Sequence, residues 1–105
     1  MTSGAEFTST VRGGRRAAQP ALVAHVVLGT GTGQTRVGFV VSKAVGPAVD
    51  RNRVKRRLRH LMRDRLSAVP AGSRVVVRAL PSASTRSSVS LADQLDAALQ
   101  RCGAR

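Results

Sequence analysis

A chain of 105 residues supports one domain and one modest core, and with only two aromatics, Phe7 and Phe39, that core has to be filled by Val, Leu and Ala. Eighteen Lys and Arg against five Asp and Glu give a formal net charge of +13, a self-repelling imbalance that a polyanion would relieve, whether nucleic acid, an anionic membrane surface or an acidic protein. With no 18-residue apolar run, no charged lead-in to an apolar stretch and Cys102 as the single cysteine, a membrane-spanning helix, a signal peptide, an internal disulfide and a cysteine-built zinc site are excluded, and a reducing, cytoplasmic setting fits.

In chain order, residues 1 to 6 are small and polar, and Phe7 and Val11, four apart, predict a short helix ended by Gly13-Gly14. Arg15 to Ala18 reads as a short edge strand. Ala21 to Leu28 is an apolar run broken only by His25, and its length and Val content predict a strand. Gly29-Thr30-Gly31-Thr32-Gly33 predicts a hairpin-type connection to a second strand, Arg36 to Ser42. There Val37, Phe39 and Val41 share one face, and Gly38, Val40 and Ser42 the other.

Gly46-Pro47 breaks the chain, and a helix is expected from about Asp50 to Leu66, with Asp50 in its first turn. Pro70-Ala71-Gly72 ends it. Arg74 to Leu80 reads as a further strand centred on Val75-Val76-Val77. After a Ser-rich loop, Ser88 or Ser90 is placed to cap a last helix carrying Leu91, Leu95, Ala98 and Leu99. The pattern predicts a single α+β or α/β sandwich over 1–105, helices on a small sheet, with 1–5 and 102–105 expected to be flexible.

The helix from about residue 50 carries the functional argument. Val54, Leu58, Leu61, Met62 and Leu66 fall on one broad face, while Asn52, Arg53, Arg56, Arg59, His60 and Arg63 gather opposite. Lys55 and Arg57 flank the boundary. Arg51 and Arg65 project by angle onto the apolar side, close enough to the helix ends to snorkel outward. Eight of the eighteen cations lie between residues 51 and 65. Most such faces are simply solvated, but here few carboxylates are available to pair, and a phosphate backbone supplies anions at regular spacing. A membrane-surface helix usually carries bulky Trp or Phe on its apolar face, and this one has neither.

The run from Val40 to Arg59 resembles the signature of the bacterial ribonuclease P protein component. The matching residues are Ser42-Lys43, Gly46, Ala48-Val49, Arg51-Asn52-Arg53, Val54 and Lys55-Arg56. Glu6-Phe7 followed by Gly13 or Gly14, and the strand from Arg74 ending at Pro81, extend the likeness to roughly residues 4 to 100. The resemblance implies a two-layer α/β sandwich with a four-stranded sheet and a left-handed βαβ crossover, the ribosomal protein S5 domain 2-like arrangement. It implies a protein subunit that binds a large catalytic RNA. That RNA and its magnesium ions remove the 5′ leader of precursor tRNA, so no catalytic residue or metal site is expected in the protein.

By the same resemblance, Lys43, Arg51, Asn52, Arg53, Lys55, Arg56, Arg59 and Arg63 would contact the catalytic RNA. Phe7, Val11, Leu22 and His25 would contact the leader in a cleft between the first helix and the sheet. Relatives often place aromatics at the last three positions, and only Phe7 stacks well on a base here, with His25 a weaker second. The structural alternatives are a core anchor for Phe7, a surface-facing strand residue for His25 and an inert thiol for Cys102. Relatives usually have a basic, Leu-containing segment before the Phe7 position. Six residues without Lys or Arg precede it here, which points to a shortened variant or a start codon assigned too late.

Nothing in the residues suggests independent catalysis. Glu6, Asp50, Asp64, Asp93 and Asp96 are scattered, and the last two are expected to be solvated. The Gly-Thr run lacks the Gly-Lys-Ser/Thr ending of a phosphate loop, and a protein-only nuclease would need a carboxylate cluster for magnesium. The expected partners are the catalytic RNA and precursor tRNA, with neither DNA nor membrane. The alternative reading is a structural RNA-binding protein of ribosomal type.

Overall fold

Val75, Val76 and Val77 are all fully buried, so their strand is covered on both faces and belongs in the middle of a sheet. The computed structural model describes residues 4–103, with side chains from residue 9 onward, and places that strand there. The elements are α1 (Gly4–Gly13), β1 (Arg15–Ala18), β2 (Leu22–Val27), β3 (Arg36–Val40), α2 (Ala48–Arg63), β4 (Arg74–Ala79) and α3 (Ser88–Arg101). The strand order is β1-β2-β4-β3. β1 and β4 both run antiparallel to β2, whereas β3 runs parallel to β4 and is joined to it through α2.

This order corrects the hairpin expected between β2 and β3. β4 lies between them, because the strand that is apolar on both faces takes the central position. The Gly-Thr connection instead passes over the turn that leads into β4. Gly29 N donates to Ser73 Oγ at 2.8 Å, and Gly31 N donates to the Ala71 carbonyl at 3.1 Å. Gly72 has φ +83°, and a Cβ there would run into the Thr32 carbonyl oxygen, so only glycine allows the two segments to cross.

One face of the sheet presents Leu22, Ala24 and Val26 from β2 and Val75, Val77 and Ala79 from β4 to Val54, Leu58 and Met62 of α2 and Leu91, Leu95, Ala98 and Leu99 of α3. Val37, Phe39 and Val41 pack on the same cluster, as their alternation predicts. Val23, His25 and Val76 point the other way, and α1 lies along β2 and β4.

Helix boundaries differ from the expected ones for local reasons. α2 starts at Ala48, with Pro47 as its N-cap residue. It stops at Arg63, and Arg65 N donates to the Met62 carbonyl at 3.0 Å, an i→i−3 bond that tightens the end. Leu66 is therefore off the helix, in a 3-10 turn over Leu66–Ala68. The cap of α3 is Ser87, whose Oγ accepts from Ser90 N at 3.1 Å, and not Ser88 or Ser90. Cys102, expected to open a flexible tail, is instead the C-cap of α3 and 1% exposed. Burial pushes its thiol pKa up, against a smaller opposing influence of Arg15.

Candidate nucleic-acid interface

Helical periodicity sorts α2 into two chemistries. Val54, Leu58 and Met62 are at most 1% exposed, and their packing holds the helix in one rotation. That rotation turns Asn52, Arg53, Lys55, Arg56, Arg59, His60 and Arg63 outward, all exposed. Arg53 has a weak contact with Asp50 at 3.7 Å, and both side chains are substantially exposed. Among the described residues no carboxylate lies within ion-pair distance of Lys55, Arg56, Arg59 or Arg63. Asn52, Lys55, Arg56 and Arg59 line an open hollow of about 340 Å³. Lys43 is exposed in a 3-10 turn over Lys43–Val45, just ahead of the helix.

Three cations of the same stretch stand apart from this face. Arg65 does not snorkel: its Nε and Nη2 bind Asp96 Oδ1 and Oδ2 of α3 at 2.6 and 3.2 Å, and its Nη1 donates to the Leu61 carbonyl at 2.8 Å. Asp96 is thus a clasp and not a solvated carboxylate. Arg57 Nη1 donates to the Arg86 carbonyl at 3.2 Å, which ties α2 to the segment before α3. Arg51 is half-buried, and its Nε is enclosed without a hydrogen-bond partner. Its position on the apolar side draws the neck of the side chain inward, away from the exposed group.

The second cluster expected from sequence separates in the structure. Leu22 is fully buried on the α2–α3 face of the sheet, so it cannot line a cleft under α1, which corrects that assignment. The period of two decides this: Leu22 and His25 are three apart and point to opposite faces. Val11 is half-buried on α1, and the side chain of Phe7 lies outside the described ones. His25 is not surface-facing but 5% exposed, and its Nδ1 has no hydrogen-bond partner.

His25 pairs in register with Arg16 on β1, while Arg78 on β4 lies opposite Val23 on the same face. Burial, then the charges of Arg78 and Arg16, hold the His25 pKa below the ordinary imidazole value. On the α1 side of the sheet a buried imidazole with a lowered pKa thus neighbours two exposed arginines, Arg16 and Arg78. Sequence reasoning missed Arg16 and Arg78. Strand alternation was the available signal, but it acts only once the register of three strands is known. Among the described residues no three His, Cys, Asp or Glu side chains converge as metal ligands, and no helix is long and apolar enough to cross a membrane.

A family model, Ribonuclease P, matches residues 1–103. The ribonuclease P protein component of Streptomyces avermitilis is 57% identical over 104 residues, which cover 91% of this chain and 85% of the relative. That of a Nocardioides species is 49% identical over 106 residues, covering 99% and 91%. The solved RNase P protein of Staphylococcus aureus shares the fold, with a TM-score of 0.86 over 99% of this chain and 94% of that one, at 24% identity.

Proposed function

The chain belongs to the ribonuclease P protein family, a bacterial ribonucleoprotein subunit with a role in tRNA 5′ processing, and we propose how its two surfaces divide that work. The exposed face of α2, with Lys43 ahead of it, grips the phosphate backbone of the catalytic RNA. Asn52, Arg53, Lys55, Arg56, Arg59 and Arg63 make the contacts, and Arg51 lends charge from a half-buried position. The α1 side of the sheet, with Val11, His25, Arg16 and Arg78, receives the single-stranded 5′ leader of precursor tRNA, and Phe7 belongs to the same helix. Cleavage chemistry resides in the RNA, and magnesium takes its ligands mainly there. The complex works in the cytoplasm.

The observation that carries this reading is the row of Arg56, Arg59 and Arg63 on α2, which among the described residues have no carboxylate within ion-pair distance. A fold that keeps such a row unpaired is organised for anions from outside, and each neutralised phosphate releases counterions. The test is cleavage of 5′-labelled precursor tRNA by the cognate catalytic RNA at low magnesium. The expected result is faster cleavage when the folded protein is added, and an unchanged rate would sink the proposal.

A further inference from the structure

Beside the cationic face lies a pocket that phosphate binding does not use. Val37 and Phe39 of the edge strand β3, with Met62 and Arg63 of α2 and Leu66 beyond it, enclose about 300 Å³, and Arg59 completes the rim. Phe39 is half-buried and lines the pocket. Leu66 is 38% exposed. Arg59 also lines the hollow it shares with Asn52, Lys55 and Arg56, so one guanidinium stands between a polar trough and an apolar pocket.

We propose that this pocket receives one unpaired base of the RNA whose backbone lies along α2. The base stacks on Phe39 against Val37, Met62 and Leu66, while Arg59 and Arg63 hold the phosphates on either side of it. This inference rests on the reading of α2 as the RNA-binding face and adds a base contact to it. Three arguments select a base over another occupant. The pocket is continuous with the phosphate trough through Arg59. Its rim is cationic, which suits a group carried between two phosphates and opposes a basic partner such as a second copy of this chain. Its volume is at the small end for ligand sites, suited to a single planar ring. Every base has a face that can stack, so the contact tolerates sequence and adds affinity that salt does not screen.

The test uses the full chain and its cognate catalytic RNA without substrate. Affinity is measured across a salt series for the wild type, Phe39→Leu and Arg56→Ala, and base reactivity toward dimethyl sulfate and carbodiimide is mapped in each complex. Phe39→Leu keeps an apolar filler but removes the ring. It is expected to bind roughly tenfold more weakly at every salt concentration, with an unchanged salt slope. One unpaired base shielded in the wild-type complex should become reactive.

Wild-type affinity for Phe39→Leu, with every unpaired base as reactive in the wild-type complex as in free RNA, overturns the pocket. A shallower salt slope for Arg56→Ala would then leave the α2 reading standing, and an unchanged slope would remove both. If Phe39→Leu fails to fold, Leu66→Ser at the exposed rim takes its place with the same outcomes. A Phe39→Leu effect confined to self-association of the free protein would assign the pocket to a second copy and overturn the proposal.

Discussion

Arg65 and Asp96 clasp α2 to α3 through two parallel bonds, Nε to Oδ1 at 2.6 Å and Nη2 to Oδ2 at 3.2 Å. The Arg65 side chain is 15% exposed and that of Asp96 34%, so the pair is partly shielded from water. The same guanidinium caps the Leu61 carbonyl. One cation of the basic stretch is thus used to fix the helix that presents the others. Asp96→Ala should lower stability by about 1–3 kcal/mol, because Arg65 would keep a half-buried charge without its partner. Urea denaturation would measure this, and RNA affinity of the folded fraction should hardly change.

Arg53→Ala and Arg56→Ala should act in the opposite way. Both side chains are exposed, and neither holds the core, so stability should stay within about 0.5 kcal/mol of the wild type. Each should reduce the slope of log affinity against log salt by about one and weaken RNA binding at low salt. Arg65→Ala should instead lose stability first, which separates the clasp from the binding face.

His25 should make stability depend on pH. Its folded pKa lies below the ordinary value, so between the two the unfolded chain holds more protons. The contribution is complete above the unfolded value of about 6.5 and is lost as pH falls through that value toward the folded one. Denaturation from about pH 8 down to about pH 5 should show a decline that His25→Gln flattens.

Gly72→Ala should cost about 1–3 kcal/mol, since φ +83° disfavours a side chain and the new Cβ meets the Thr32 carbonyl. Gly31→Ala shares a positive φ but meets nothing within 4 Å, so its cost should be smaller. Thermal midpoints of the two variants give the comparison.

Val11→Ala and His25→Ala should weaken binding of leader-bearing precursor tRNA by roughly three- to tenfold while sparing mature tRNA. Parallel titrations of the holoenzyme with the two RNAs provide the check. Equal effects on both would assign these residues to the packing of α1 alone.

The legible parts of the fold were those written in local periodicity. The α2 pattern exposed both its core side and its basic side, and β3 revealed its faces through Val37, Phe39 and Val41. Pairing between distant segments was not legible. The Gly-Thr run looks like a hairpin, and only the burial of Val75, Val76 and Val77 on both faces explains why β4 separates β2 from β3. Leu22 and His25 were grouped by resemblance alone, although three positions apart on one strand they point to opposite faces. Arg65 and Asp96 are 31 positions apart, and no short-range rule joins them. Arg51 shows the same limit: helical angle placed it on the apolar side, but not how much of its neck would be enclosed.

The placement of β4 also bears on how the protein is made. β2 and β3 share no hydrogen-bonded edge with each other, and their common neighbour begins only at residue 74. A nascent chain therefore leaves one edge of β2, and the edge of β3 that meets β4, unpaired until residues 74–79 have been made. Entry of β4 pairs it with both strands and closes the crossover that carries α2. The bearing of the basic helix is thus fixed only once β4 has entered the sheet between β2 and β3.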